Sequence, residues 1–417
     1  MSSVVGSSGE TLLISRPARL KTQEFGCGVL GAGAAELDYA PAQEISERLR
    51  KIVDSGELGY ALPSDLVDLK QSTSAWHERS MGWSPRPENF VATPDITSAF
   101  SYFLLTLAPL DGPVLVPSPG YSKLKQVALE LGFEVLNYTV QRSSNGYAYS
   151  LDQISEHLRT SRRGVLVLLH PHNPTGYLAQ KAELEMIARI VDEFGAIVFS
   201  DEIHGPLWLE DEPHLPYAAS SDIAREHTVT AVSSSKAWGL SGARVTQLAF
   251  PSGEMARRVQ AGRQQAFIEG AVGALGVQAS IAAYDRGGDW LEALRSRLRS
   301  NREVVTKFAA ESPIICNYIQ PQSSFLAWME LKMDAKSESA AQLLRDRSRL
   351  GVLGAEEFDW PQASYFRLNF GSPPVMVEQC LSLISSAAAT NEDARLKGRN
   401  SPSRALKIKG STYVKQK

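Results

Sequence analysis

The sequence predicts an α/β fold built on a mainly parallel sheet. The first observation is an alternation between about residues 90 and 250, where short apolar runs are separated by amphipathic stretches. The runs are Val114–Val116, Val165–Leu169, Ile197–Phe199 and Val229–Val232, and the stretch Lys181–Phe194 between two of them has helical spacing. That order reads as βαβ units, whose strands are apolar throughout because helices cover both faces. The second observation is length: 417 residues exceed one small core, so two domains are expected, one of them large.

Taken in order, residues 1–20 are rich in Ser and Gly and are expected to be mobile. Ala42–Val53 carries Ile45, Leu49 and Ile52 at helical spacing. The βαβ region follows. Met255–Ala283 is a long helical pattern suited to joining a large domain to a smaller C-terminal one. Asn391–Lys417 turns polar and basic, with Arg395, Lys397, Arg399, Arg404, Lys407, Lys409, Lys415 and Lys417, and reads as a solvated tail.

Composition is that of an ordinary globular chain: 43% hydrophobic, 21% charged, net charge −3. Nothing in this balance calls for nucleic acid or a membrane surface as partner. Cys27, Cys316 and Cys380 are far apart and odd in number, with no CxxC, which argues against a disulfide framework or a zinc site. No metal is expected. Residues 1–18 hold no sustained apolar run of signal-peptide type, so a cytoplasmic enzyme is the expectation.

The chemistry starts at Lys236, in Ser233-Ser234-Ser235-Lys236-Ala237-Trp238-Gly239-Leu240-Ser241-Gly242-Ala243-Arg244. The run Thr230-Ala231-Val232 before it reads as a strand. A cofactor with an aldehyde and a phosphate needs an amine for a Schiff base, and a hydroxyl and a guanidinium for the dianion. Arg suits the phosphate because its planar fork binds two oxygens at once. Alone, this pattern also fits a polar turn with a surface lysine.

Two further segments sharpen the reading. His170-Pro171-His172-Asn173-Pro174-Thr175-Gly176 follows an apolar run, forms a tight turn and frees the Asn173 amide to donate. His170 and His172 read as loop residues, since no Cys, Asp or Glu stands near them at ligand spacing. Ala196–Ser200 ends in Asp201-Glu202-Ile203-His204. An Asp at the carboxyl end of a strand is where an α/β sheet holds ligand contacts, although a helix cap would use the same residue.

With these motifs in order, and with Arg367 in Tyr365-Phe366-Arg367-Leu368-Asn369-Phe370, the chain resembles the fold-type I pyridoxal-5′-phosphate (PLP) enzymes of the class I/II aminotransferase superfamily. The resemblance covers roughly residues 35–390. Within the superfamily it is most similar to the MalY/PatB branch, the cystathionine β-lyase-like C–S lyases. The words that carry this are Ala35-Glu36-Leu37-Asp38-Tyr39, Gly59-Tyr60, Trp76-His77-Glu78-Arg79 with Gly82-Trp83, and Ser200-Asp201-Glu202-Ile203-His204.

The resemblance implies a large domain (residues 45–285) with a mainly parallel seven-stranded sheet sandwiched by helices. It implies a smaller α+β domain (1–44 and 286–392), followed by a basic tail (393–417). PLP is the implied cofactor. Lys236 would hold it and serve as the base at Cα. Asp201 would face the pyridine nitrogen, and Asn173 the ring oxygen. His204 would lie at the same edge or pack behind it. Tyr121 would stack on the ring, unless it is a core tyrosine. Ser233, Arg244 and the backbone amides of Ile96 and Thr97 would hold the phosphate, the amides at a helix N-terminus. Arg367 would clamp the substrate carboxylate. Tyr60 would reach the phosphate of the neighbouring subunit, which implies a homodimer.

Two places depart from the branch. Its phosphate loop reads Thr-Pro-Gly, but here it is Thr93-Pro94-Asp95, and a carboxylate repels a phosphate unless it turns away or pairs with a cation. The pocket-shaping segment near the N-terminus is replaced by Lys21-Thr22-Gln23-Glu24-Phe25-Gly26-Cys27-Gly28. The expected activity is a C–S β-lyase that converts an L-cysteine S-conjugate to thiol, pyruvate and ammonia. Open alternatives are an aminotransferase and an oxidative decarboxylation–deamination of such a conjugate in secondary metabolism. A PLP-fold regulator without catalysis is disfavoured by intact Lys236, Asp201 and Arg367.

Overall fold

The computed structural model describes residues 3–5, 11–13, 19–109, 111–144, 146–161, 163–251, 254–260, 263–333 and 339–399. The expected mobile segment 1–20 and the tail 400–417 therefore lie largely or wholly outside the described residues. Residues 393–399 of the expected tail belong to the helix Pro374–Arg399.

The large sheet has eight strands: β1 (Phe90–Thr93), β2 (Val114–Ser118), β3 (Val135–Ser143), β4 (Gly146–Tyr149), β5 (Val165–Leu169), β6 (Ile197–Asp201), β7 (Thr228–Val232) and β8 (Thr246–Ala249). Their order across the sheet is β1-β8-β7-β6-β5-β2-β3-β4. The run from β7 to β3 is parallel, and β8, β1 and β4 are antiparallel additions. The resemblance implies seven strands. The eighth is β4, which turns back on β3 through Gly146 at φ 124°, a conformation open to glycine.

Alternation along each central strand fills two cores at once. Val114, Val116, Val165, Val167, Leu169 and Phe199 pack on one face, against the helices Ile96–Leu107 and Ser122–Glu130. Leu115, Leu166, Leu168 and Val198 pack on the other, against Leu151–Ser161 and Lys181–Glu193. The latter helix buries Leu184, Ile187, Ala188 and Val191, the stripe its sequence spacing predicts.

The helical pattern Met255–Ala283 is not one helix. It divides into Glu254–Gln260, Arg263–Gly270 and Ala274–Arg286. The last two meet at an 84° bend. Gly270 and Gly273 flank the break, and glycine is among the weakest helix formers. The long helix Gly288–Glu311 comes next. It packs with an antiparallel four-stranded sheet of Ile315–Tyr318, Leu326–Leu331, Tyr365–Asn369 and Leu353–Gly354. The N-terminal segment returns to this unit. Leu30–Gly31 pairs in parallel with Leu350–Gly351, and Asn369 N–H donates to the Ala32 carbonyl at 2.9 Å. Among the described residues no single helix is long and apolar enough to cross a membrane.

Candidate active site

The register of the parallel strands collects the motif residues at one edge. Leu169 is level with Asp201, and Asp201 with Ala231. The chain leaving each strand here carries, in turn, the Asn173 turn, Asp201 with His204, and Lys236. This is the carboxyl edge, next to the point where chain order reverses between β5 and β2, the place where open α/β sheets bind ligands. A cavity of about 540 Å³ opens there. Its wall includes Lys236, Asp201, Asn173, His204, Tyr121, Ile96, Arg244 and Arg367.

Lys236 donates to the Ala35 carbonyl at 3.0 Å. Burial lowers its pKa to about 8, helped by the nearby Arg367 cation and opposed by Glu36 and Asp201. Asp201 is 7% exposed. Burial raises its carboxyl to about 7, although the Ile203 N–H and the Lys236 charge favour the anion. His204 is buried, and burial drives its pKa well below the usual value, so the ring is neutral. Its Nδ1 and the Ser324 hydroxyl are 2.9 Å apart. Tyr121 precedes the helix Ser122–Glu130, and burial together with the Asp201 charge raises its phenol pKa.

Arg367 comes from the four-stranded sheet. Its Nη1 donates to Asn173 Oδ1 at 2.9 Å and its Nη2 to the Gly33 carbonyl at 2.7 Å. Burial lowers its pKa to about 10, and Glu24 is the largest opposing charge. The guanidinium is therefore a fixed cation in the cavity wall. With its oxygen on Arg367, the Asn173 amide keeps its N–H donors for another partner.

The departure at Asp95 resolves into an ion pair. Asp95 caps the helix Ile96–Leu107: its Oδ1 accepts from Ser98 N–H at 2.8 Å and from the Thr97 hydroxyl at 2.7 Å. Its Oδ2 pairs with the Arg244 guanidinium. The Ile96 and Thr97 amides belong to the first helical turn, which has no intrahelical acceptors.

Three expected residues are not in the cavity wall. Ser233 is buried behind it, donating to the Val245 carbonyl at 2.6 Å, and Ser241 lines the cavity instead. The Thr97 side chain is held on Asp95. Tyr60 is 92% exposed on the surface of this chain. The altered N-terminal segment enters the wall through Glu24, joined by Leu20 just before it and by Glu36, Lys123, Glu357 and Phe358. Glu36 lies in Ala35-Glu36-Leu37-Asp38-Tyr39 and Glu24 in the altered segment Lys21–Gly28. Glu357, Phe358 and Lys123 carry no local signal, because only tertiary packing brings them to the cavity.

Known proteins resemble this chain over most of its length. The family described as aminotransferase class I and II matches residues 28–384. The cystathionine beta-lyase PatB of Bacillus subtilis is 24% identical over 354 residues, 85% of this chain and 91% of that protein. The cystathionine beta-lyase of Corynebacterium glutamicum is 25% identical over 368 residues, 88% of this chain and 96% of that one. Among solved structures, OvoB is 26% identical with a TM-score of 0.82, covering 90% of this chain and 98% of its own. A putative PLP-dependent beta-cystathionase from Corynebacterium diphtheriae superposes with a TM-score of 0.83 at 22% identity, covering 90% and 99%. With the family match spanning most of its length, the protein belongs to the class I and II aminotransferase family.

Proposed function

We propose that this protein is a PLP-dependent C–S β-lyase that cleaves an L-cysteine S-conjugate to a thiol, pyruvate and ammonia. The observation that carries the reading is one cavity holding an amine lowered to about 8, a carboxylate raised to about 7 and a buried guanidinium. The curated relatives named as cystathionine β-lyases support this choice of reaction within the family.

The donor set fits PLP. Lys236 is close enough to neutral to react with an aldehyde. A buried Asp201, costly to ionise alone, would be stabilised as the anion by a cationic ring nitrogen. Arg244, Ser241 and the Ile96 and Thr97 amides are donors for the phosphate. Tyr121, His204 and Phe358 are aromatic residues of the wall. When bound, PLP supplies an aldehyde for the substrate amine and a protonated ring that takes up the electrons released at Cα.

The residues then divide the work. Arg367 binds the substrate carboxylate, and its bond to Asn173 fixes the direction of the guanidinium. Lys236 Nζ takes the Cα proton. The Cβ–S bond breaks and its electron pair leaves with sulfur as thiolate. Water is consumed, and pyruvate and ammonium are the remaining products. Neutral His204 adds no competing cation beside Lys236. The proposal includes a homodimer completed by Tyr60 and a cytoplasmic location.

The test is a panel of S-substituted cysteines offered to the purified holoenzyme, with thiol, pyruvate, CO2 and hydrogen peroxide measured. Thiol and pyruvate in equal amounts are expected. A requirement for a 2-oxo acid acceptor, or CO2 with peroxide, overturns the lyase reading. Lys236→Ala should lose both the visible absorption of the bound cofactor and turnover. Near-normal activity in that variant overturns the cofactor assignment.

A further inference from the structure

We propose that Asp95 is a built-in competitor for the cofactor phosphate, holding the same guanidinium and the same helix turn that the PLP reading assigns to it. The inference rests on that reading and concerns what this chain adds to it. A carboxylate at the N-terminus of a helix does what a bound anion does: it accepts first-turn donors and meets the positive end of the dipole. Asp95 takes Ser98 N–H and the Thr97 hydroxyl with one oxygen and Arg244 with the other. The chain thus supplies an anion of its own to the residues assigned to the phosphate.

The surrounding backbone keeps the two side chains together. Arg244 is a non-glycine residue at φ 53°, in the left-handed region, directly after the turn Ser241–Ala243. That turn is pressed against the helix Ala274–Arg286 at Gly276. A Cβ on Gly276 would lie 2.1 Å from the Ala243 carbonyl oxygen, so only glycine permits this approach. With the backbone pinned, only the Arg244 side chain is free to choose between anions, and it is 64% exposed. Burial alone would raise the Asp95 carboxyl, but the Ser98 N–H, the Thr97 hydroxyl and Arg244 together hold it below the usual value. It is therefore ionised wherever the phosphate is a dianion, and the two repel across a shared cation.

Asn is as good a helix N-cap as Asp, so Asp95→Asn removes the charge and keeps the cap. The cofactor-free full-length chain is titrated with PLP and, separately, with pyridoxal, which has the aldehyde and lacks the phosphate. Absorption reports both. Asp95→Asn should tighten PLP on the order of tenfold at low salt, with the gain shrinking as salt rises, and should leave pyridoxal unchanged. Asp95→Gly should tighten PLP in the same direction, and thermal melts establish that both variants are folded. Unchanged or weaker PLP binding in Asp95→Asn overturns the proposal and makes Asp95 a positioning residue for Arg244. Equal tightening of pyridoxal overturns it too. The cofactor reading fails by a different result, the absence of any Lys236-dependent absorption in wild type and in both Asp95 variants, which overturns the competitor with it.

Discussion

Arg367 Nη1 donates to Asn173 Oδ1 at 2.9 Å, across 194 positions of chain. The bond joins the four-stranded sheet to the turn after β5 and sets the guanidinium in the cavity wall. A lysine at this position keeps a charge but loses the fork that holds Asn173 and the Gly33 carbonyl together. Arg367→Lys should lower kcat/KM roughly hundredfold, mainly through KM, while cofactor absorption is retained. Steady-state kinetics on one S-substituted cysteine checks this; an unchanged KM removes the carboxylate role.

Asp201 links the site to stability. Its native pKa of about 7 lies above the reference 3.8, so the native cofactor-free chain holds a proton that the unfolded chain releases earlier. The contribution is complete below about pH 4 and is lost as pH rises through about 7. Asp201→Asn removes this dependence. In urea unfolding without cofactor, wild type should lose about 1–3 kcal/mol relative to Asp201→Asn between pH 4.5 and pH 8. A constant difference across that range contradicts the assignment. On the proposed assignment of Asp201 to the ring nitrogen, the same variant with PLP should turn over at least about a hundredfold more slowly, through loss of a charged partner.

Lys21 anchors the altered N-terminal segment. Its Nζ lies 2.9 Å from Asp38 Oδ2, and the two side chains are 2% and 0% exposed. Ser372 completes the contact, its hydroxyl donating to the same carboxylate oxygen. Removing one partner of a buried pair strands the other charge, so Lys21→Met should destabilise the protein by ~3–5 kcal/mol. Because Leu20 and Glu24 flank Lys21 and line the cavity, KM should shift in the same variant. Denaturant unfolding and kinetics are the readouts; a loss under ~1 kcal/mol would show that the segment is held by other contacts.

Tyr60 tests the dimer. The side chain is 92% exposed in a single chain and stands outside the cavity wall of its own chain. If it serves the neighbouring site, mixing Tyr60→Phe chains with Lys236→Ala chains should restore part of the activity, since half of each hybrid carries both lesions and the other half neither. No recovery after verified subunit exchange, or a fully active monomer in sedimentation, rules this out.

Much of the site was legible before the fold because its chemistry is local. Lys236, Asp201, Asn173 and Arg244 each stand within a few residues of an apolar run that must become a buried strand, and parallel strands end at a common edge. Strand identity, the two-faced burial of the sheet and the helix Lys181–Glu193 follow from the same periodicity. The tertiary structure alone decided what meets across the chain. It split the pattern at 255–283 into separate helices, because one apolar periodicity cannot report a bend at Gly270–Gly273. It added β4, brought Glu357 and Phe358 to the cavity, moved Ser233 behind the wall and put Asp95 on Arg244. Periodicity and turn chemistry act over a few residues, whereas these contacts depend on strand register and helix packing over tens to hundreds.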